Sequence, residues 1–152
     1  MLERTAFAGH QIGNHAFTHR SLVGLPREEV LRELTATAAI VRRMTGMPPG
    51  VFRAPYLEVD ETVLEAAAEC GYGQHVGGEP AGDRELGSAV AIAEAVLAAV
   101  RPGATVILHD GVPPRSQSRR DRSATVEAVR LLLPELRGRG YELVTVSELL
   151  QA

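Results

Sequence analysis

Short apolar runs alternate along this chain with longer stretches of helical periodicity, and that alternation limits the folds open to it. Thr105-Val106-Ile107-Leu108 is the clearest run. It is entered from the break Arg101-Pro102-Gly103 and left at His109-Asp110, which predicts a short buried central strand. Val51-Phe52-Arg53 reads as another strand, with weaker candidates at Gln11 to Asn14, Tyr72 to Val76 and Tyr141 to Thr145. Between these runs lie helices. From Arg27 to about Thr45, the residues Val30, Leu34, Ala38, Val41 and Met44 form one apolar stripe, started at Leu25-Pro26 and stopped by Gly46, Pro48 and Pro49. Asp60 is placed to cap a helix over Glu61 to Cys70 with Val63, Leu64 and Ala67 inward. Further helices are expected over Ala89 to Val100 and over Ser123 to Arg137, the latter kinked or restarted at Pro134, and Ser147 is expected to cap a short one through Leu150. Gly77 to Gly87 reads as turns and 111–120 as a loop. The pattern predicts an α/β protein with a parallel sheet or barrel.

A length of 152 residues, 45% of them hydrophobic, suits one domain over 1–152. The net charge of -3 comes from intermixed acids and bases, and the densest basic run, Arg115 to Arg122, is interrupted by Ser116, Gln117, Ser118 and Asp121. Nucleic acid is therefore not expected as a partner. Cys70 is the only cysteine, which rules out an intrachain disulfide. Met1 to Gly9 has no apolar core of a signal peptide, and Ala89 to Val100 falls short of the roughly 20 residues of a membrane span. A soluble cytoplasmic protein without membrane association is the expectation.

In parallel α/β folds the reacting groups gather at the carboxyl ends of strands, and three segments put polar residues there. His15 and His19 follow Gln11 to Asn14; Arg53-Ala54-Pro55-Tyr56 follows Val51-Phe52; His109-Asp110 follows Leu108. If residues 15–19 formed one helical turn, the two imidazoles would share a face and could grip one metal ion. Plainer readings stand beside these. Arg53 could be a salt-bridging residue at a strand end, and Asp110 could cap a turn. His10 is expected to order its loop, His75 to be structural or solvent-facing, and Cys70 to be a small packing residue.

The ordered set resembles the polysaccharide deacetylase family, also known as the NodB-homology or carbohydrate esterase family 4 domain. Gly13 to Leu22 resembles its His-Ser/Thr-x-x-His segment, with Ala16 in place of the hydroxyl residue. Phe52-Arg53-Ala54-Pro55-Tyr56 resembles its Arg-x-Pro-Tyr segment, and Ile107-Leu108-His109 its Leu-x-His segment with Ile107 for leucine. Gly140 to Leu149 fits the end of such a domain. The resemblance implies a deformed TIM-like (β/α) barrel of the NodB type and a metal-dependent hydrolase of N-acyl groups on a sugar or related small molecule. His15 and His19 would hold a divalent metal, zinc by preference, and His109 would protonate the departing amine. Ile107 would line the acetyl-methyl pocket, with Pro55 and Tyr56 at the substrate and Tyr56 near the oxyanion. Arg53 would orient an acidic partner, for which Asp83 is the candidate although Arg84 follows it where the family carries tryptophan.

The family's first motif, Thr-Phe-Asp-Asp-Gly-Pro, supplies the base and a third metal ligand, and no Asp-Asp pair occurs in this sequence. Met1 falls within what resembles the helix before the second motif. The barrel is therefore expected to be incomplete, lacking its first strands, on the order of 30 residues. An exposed edge at the strand bearing His15 would then favour a homodimer or higher homo-oligomer. Identical copies cannot restore the aspartates, so Asp83, Asp110, Glu79 or another acid must serve as base, or that chemistry is lost. Three alternatives stay open: a non-catalytic ligand-binding homologue, an acid-base dehydratase, cyclase or isomerase using the old site in a biosynthetic pathway, and a natural start upstream of this Met1.

Overall fold

The computed structural model describes residues 1–111 and 121–151. The expected loop at 111–120 lies outside the described residues except for Gly111, and so does the basic run before Asp121. The chain forms two compact units, Met1–Gly77 together with the terminal stretch from Thr145, and Gly78–Val144.

The first unit contains α1 (Leu2–Phe7), β1 (Gly13–Asn14), α2 (Arg27–Thr45), β2 (Val51–Phe52), a 3-10 turn at Pro55–Leu57 and α3 (Glu61–Glu69). β1 and β2 pair in parallel, Gly13 opposite Val51 and Asn14 opposite Phe52. The helix connecting them, α2, starts after Pro26 and ends at Gly46, whose φ of 79° is a left-handed cap that glycine adopts without Cβ strain. Val30, Leu34 and Val41 are its buried apolar face, whereas Met44 of the expected stripe is exposed. The Asp60 carboxylate caps α3 as expected, accepting from the Val63 amide at 2.9 Å. The inward face of α3 is Val63, Ala66 and Ala67; Leu64 points to solvent. These side chains close over Phe52 and Leu22, both fully buried, with Ala54 and Tyr72. Burial of an aromatic such as Phe52 contributes about 1.5–3 kcal/mol, so this cluster holds the β1–β2 pair in place.

The second unit pairs β3 (Glu79–Pro80) with β4 (Val106–Ile107), again in parallel. β3 corrects the expectation of turns throughout 77–87. The Glu79 amide donates to Thr105 O and the Ala81 amide to Ile107 O, so Pro80 sits between two donors at a place where no N–H is needed. Gly78 is required by proximity: a Cβ there would lie 2.8 Å from both the Ile107 side chain and the Thr105 carbonyl. α4 (Ala89–Ala99), capped by Ser88, packs on α5 (Ser123–Gly138) through Ile92, Ala93, Val96, Ala128, Leu132 and Leu136. Pro134 lies inside one continuous α5 without restarting it, because Leu132 and Leu136 on either side are anchored in that core.

Two expected strands do not form. Tyr72 to Val76 contributes a single bridge, His75 to Phe52, and Tyr141 to Thr145 has no strand partner among the described residues. The last helix, α6 (Val146–Leu149), belongs to the first unit and is capped by Thr145, not Ser147, in a reciprocal capping box with Glu148. Ser147 instead hydrogen-bonds Gln11 through its amide and hydroxyl. No helix among the described residues is long and apolar enough to cross a membrane.

Candidate functional site

β1 ends in Asn14, which is buried and fixed at both ends of its amide. Its Nδ2 donates to the Leu34 carbonyl and to Tyr72 Oη, each at 2.8 Å, and its Oδ1 accepts from the Ala16 amide at 3.0 Å. The chain then turns without forming a helix. Ala16 and His19 have φ of 60° and 57°, so the helical turn expected for residues 15–19 is not what brings the histidines together. The rings nevertheless meet edge to face, with centroids 4.8 Å apart and planes at 85°. His19 packs on its other side against Tyr56, at 5.3 Å and 82°.

The His15 ring has a defined orientation. Its Nδ1–H donates to the Arg53 carbonyl at 2.7 Å, which leaves the lone pair on Nε2, the arrangement that suits a metal ligand. His19 Nδ1 is buried and has no hydrogen-bond partner among the described residues. Two imidazole nitrogens of this kind fit a zinc-like divalent ion at two of its positions. Among the described residues no third His, Cys, Asp or Glu joins them to make a cluster of three.

Arg53 follows β2, and its guanidinium donates to the carbonyls of Val76 and Gly77, both at 3.0 Å. Burial pushes its pKa below the ordinary arginine value. It thus braces the segment after His75 through carbonyl oxygens, where an acidic partner was expected. Pro55 is buried, while Tyr56 is exposed with φ of 60° and Leu57 has φ of 63°, a strained pair in the short turn next to the histidines. His75 packs on Phe52, and burial, followed by the charge of Arg53, lowers its pKa. Cys70 packs against the core as expected, and burial raises its thiol pKa.

The second unit carries the other candidates. β4 contributes buried Ile107, and two residues on, His109 meets Asp83 twice: the His109 amide donates to Asp83 Oδ2 and the ring Nδ1–H to Oδ1, both at 2.8 Å. Thr125 at the start of α5 donates its hydroxyl to Oδ2 at 3.2 Å. Burial alone would raise the Asp83 carboxyl, but the ring and backbone bonds from His109, its charge and the Thr125 bond together hold it below the ordinary carboxylate value. An ionised Asp83 fixes the His109 ring with the proton on Nδ1, leaving Nε2 as the nitrogen that can take and give a proton.

Asp83, expected from the sequence to partner Arg53, instead accepts from His109 and Thr125. Sequence reasoning misses the roles of Asn14 and Thr125: Asn14 lies within the Gly13 to Leu22 segment, but its bonds to Leu34 and Tyr72, like that of Thr125 to Asp83, join residues distant in sequence. His10, which was expected to order its loop, lines an open groove beside α1 with Phe7, Met44 and Met47.

The chain matches the polysaccharide deacetylase family over residues 1–75. It is 36% identical over 155 residues to a chitooligosaccharide deacetylase of Bradyrhizobium, covering 98% of this chain and 70% of that protein. A peptidoglycan-N-acetylglucosamine deacetylase of Bacillus cereus is 31% identical over 145 residues, covering 94% of this chain and 64% of its own length. Among solved structures, a family 4 acetyl xylan esterase from Clostridium thermocellum, in complex with a cobalt ion, superposes with a TM-score of 0.82 at 29% identity, covering 99% of this chain and 68% of that one. The α/β barrel type expected from the motifs is thus the fold of this chain, with no closed barrel among its described strands.

Proposed function

This chain belongs to the polysaccharide deacetylase family, and we propose that it hydrolyses the N-acetyl group of an amino sugar in an oligosaccharide or polysaccharide. One relative is named as a deacetylase of chitooligosaccharide and another as a deacetylase of peptidoglycan N-acetylglucosamine, which supports that substrate class. The observation that carries the proposal is the His109–Asp83 pair: an imidazole locked by a buried carboxylate at 2.8 Å is built to deliver a proton. In the reaction His109 Nε2, its ring held by Asp83, takes a proton from the water as that water adds to the acetyl carbonyl, and gives the same proton to the nitrogen as the C–N bond breaks, leaving acetate and the free amine.

His15 Nε2 and a ring nitrogen of His19 would hold a divalent ion, zinc by the nitrogen character of the donors. When bound, such an ion supplies a Lewis acid for the carbonyl and a nucleophilic water at neutral pH. The Arg53 carbonyl keeps the His15 ring in the required tautomer. Tyr56, exposed against His19, is proposed to contact the substrate, with Pro55 fixing its turn. With β1 paired only to β2 among the described strands, the chain is proposed to associate as a homo-oligomer, which sedimentation will show.

His109→Ala tests the proposal. Turnover should vanish while zinc binding by the purified chain stays intact; unchanged turnover would remove His109 from the reaction. A second reading, acid-base chemistry without metal, is favoured by one observation: the His109–Asp83–Thr125 arrangement is complete within its own unit, whereas the histidine pair offers two donors. Activity that survives a chelator would select it.

A further inference from the structure

The segment between the two histidines is held by a residue that no motif marks. Glu33, on α2, is 5% exposed, and its carboxylate receives four donors. Oε2 accepts from the amides of Phe17 at 2.9 Å and Thr18 at 2.8 Å. Oε1 accepts from the Thr18 hydroxyl at 2.8 Å and from Arg20 Nε at 3.1 Å. The next residue of α2, Leu34, receives Asn14 Nδ2 on its carbonyl. Two adjacent residues of one helix therefore grip the loop before His15 and on both sides of Thr18.

This grip opposes a cost. Left-handed backbone at residues other than glycine is unfavourable and persists where surrounding contacts over-determine it. Ala16 and His19 both adopt it, and the donors taken by Glu33 lie between and just after them. An ion pair with Arg20 alone would satisfy a buried carboxylate; the bonds to two consecutive amides and a hydroxyl do more, because they set the path of the chain. Burial by itself would raise the Glu33 carboxyl, yet the bonds from Thr18 and Phe17 and the charge of Arg20 outweigh it, so the group is held ionised.

We infer that Glu33 is the positioning residue of the histidine pair: its carboxylate fixes the 16–20 loop in the left-handed path that brings the His15 and His19 rings to 4.8 Å. The role in metal capture rests on the reading of His15 and His19 as metal-holding groups, whereas the ring geometry does not. Glu33→Gln keeps the shape but has one acceptor oxygen, and it turns an amide N–H₂ toward donors. Thr18→Val removes only the hydroxyl bond.

The test uses the full chain and two readouts: imidazole NMR signals of the metal-free protein, and cobalt(II) titration by calorimetry. Glu33→Gln should move the His15 and His19 ring signals, leave those of His109 in place, and weaken cobalt binding by about tenfold or more. Thr18→Val should do the same to a smaller extent. Ring signals at their parent positions in folded variants, with cobalt affinity within about twofold of the parent, would overturn the inference. Should Glu33→Gln fail to fold, Thr18→Val decides: moved ring signals support the role and unmoved ones refute it. A parent protein that takes up no cobalt, with ring signals that still move in Glu33→Gln, would leave the positioning role standing and remove the metal reading.

Discussion

Replacing Asp83 with Asn separates the structural work of that carboxylate from its work on His109. Oδ2 accepts two donors, the His109 amide and the Thr125 hydroxyl, and Oδ1 accepts one, the His109 ring. The amide side chain can keep its oxygen at the two-donor position and turn N–H₂ toward the ring. His109 then answers by moving its proton from Nδ1 to Nε2 and accepting on Nδ1. No buried donor is stranded in that arrangement, so the loss is that of charge assistance, about 1–2 kcal/mol of unfolding free energy. Asp83→Ala strands all three donors, and with the His109 side chain 26% exposed and partly rehydrated the cost should be about 3–4 kcal/mol. Turnover should respond in the opposite proportion. The inverted ring lacks the carboxylate that steadies its second proton, so Asp83→Asn should lose on the order of 10²–10⁴ in kcat with a small change in stability. Urea unfolding gives the first quantity, acetate release the second, and the ring nitrogen shifts of His109 report the tautomer. Turnover within about threefold of the parent in a folded Asp83→Asn would refute the reasoning.

Gly78→Ala should cost about 1–3 kcal/mol in chemical denaturation, because the new methyl meets the Thr105 carbonyl, which belongs to backbone and cannot swing away. Phe52→Ala should cost about 3–5 kcal/mol and broaden the amide signals of β1 as well as β2, since Phe52 is fully buried beneath both. Acid should destabilise the protein in a defined direction. Asp83 and Glu33 both sit below their ordinary values of 3.8 and 4.5, so the unfolded chain binds protons first as pH falls. The stability they contribute is present above those values and is lost as pH drops through the lower folded ones. Urea midpoints should begin to fall below about pH 6.5, where His75 protonates first in the unfolded chain, and fall further below about pH 4.5, that lower part less steeply in Glu33→Gln.

Local periodicity made the helices legible. Val30, Leu34 and Val41 mark α2, Pro26 and Gly46 bound it, and Asp60 starts α3, because each of these signals acts within a few residues. The run around Val106-Ile107 is legible for the same reason. β3 is not, since Glu79 and Pro80 have little strand preference and are extended only by pairing with β4. The histidine pair is the sharpest case. Spacing suggested one helical turn, yet the rings meet through a loop with two left-handed residues, and the instruction for that path lies in Glu33 and Asn14. Asp83 and His109 were both visible as candidates, but their bond to each other spans 26 positions and carries no local pattern. Contacts of that range are fixed by packing and leave no period in the sequence.

Acetate release from an N-acetylglucosamine oligosaccharide by the zinc-loaded full chain tests the account most directly. Equal amounts of acetate and free amine, lost in a folded His109→Ala variant that still binds zinc, are the expected result. A folded, zinc-loaded parent chain that releases no more acetate than His109→Ala would contradict it.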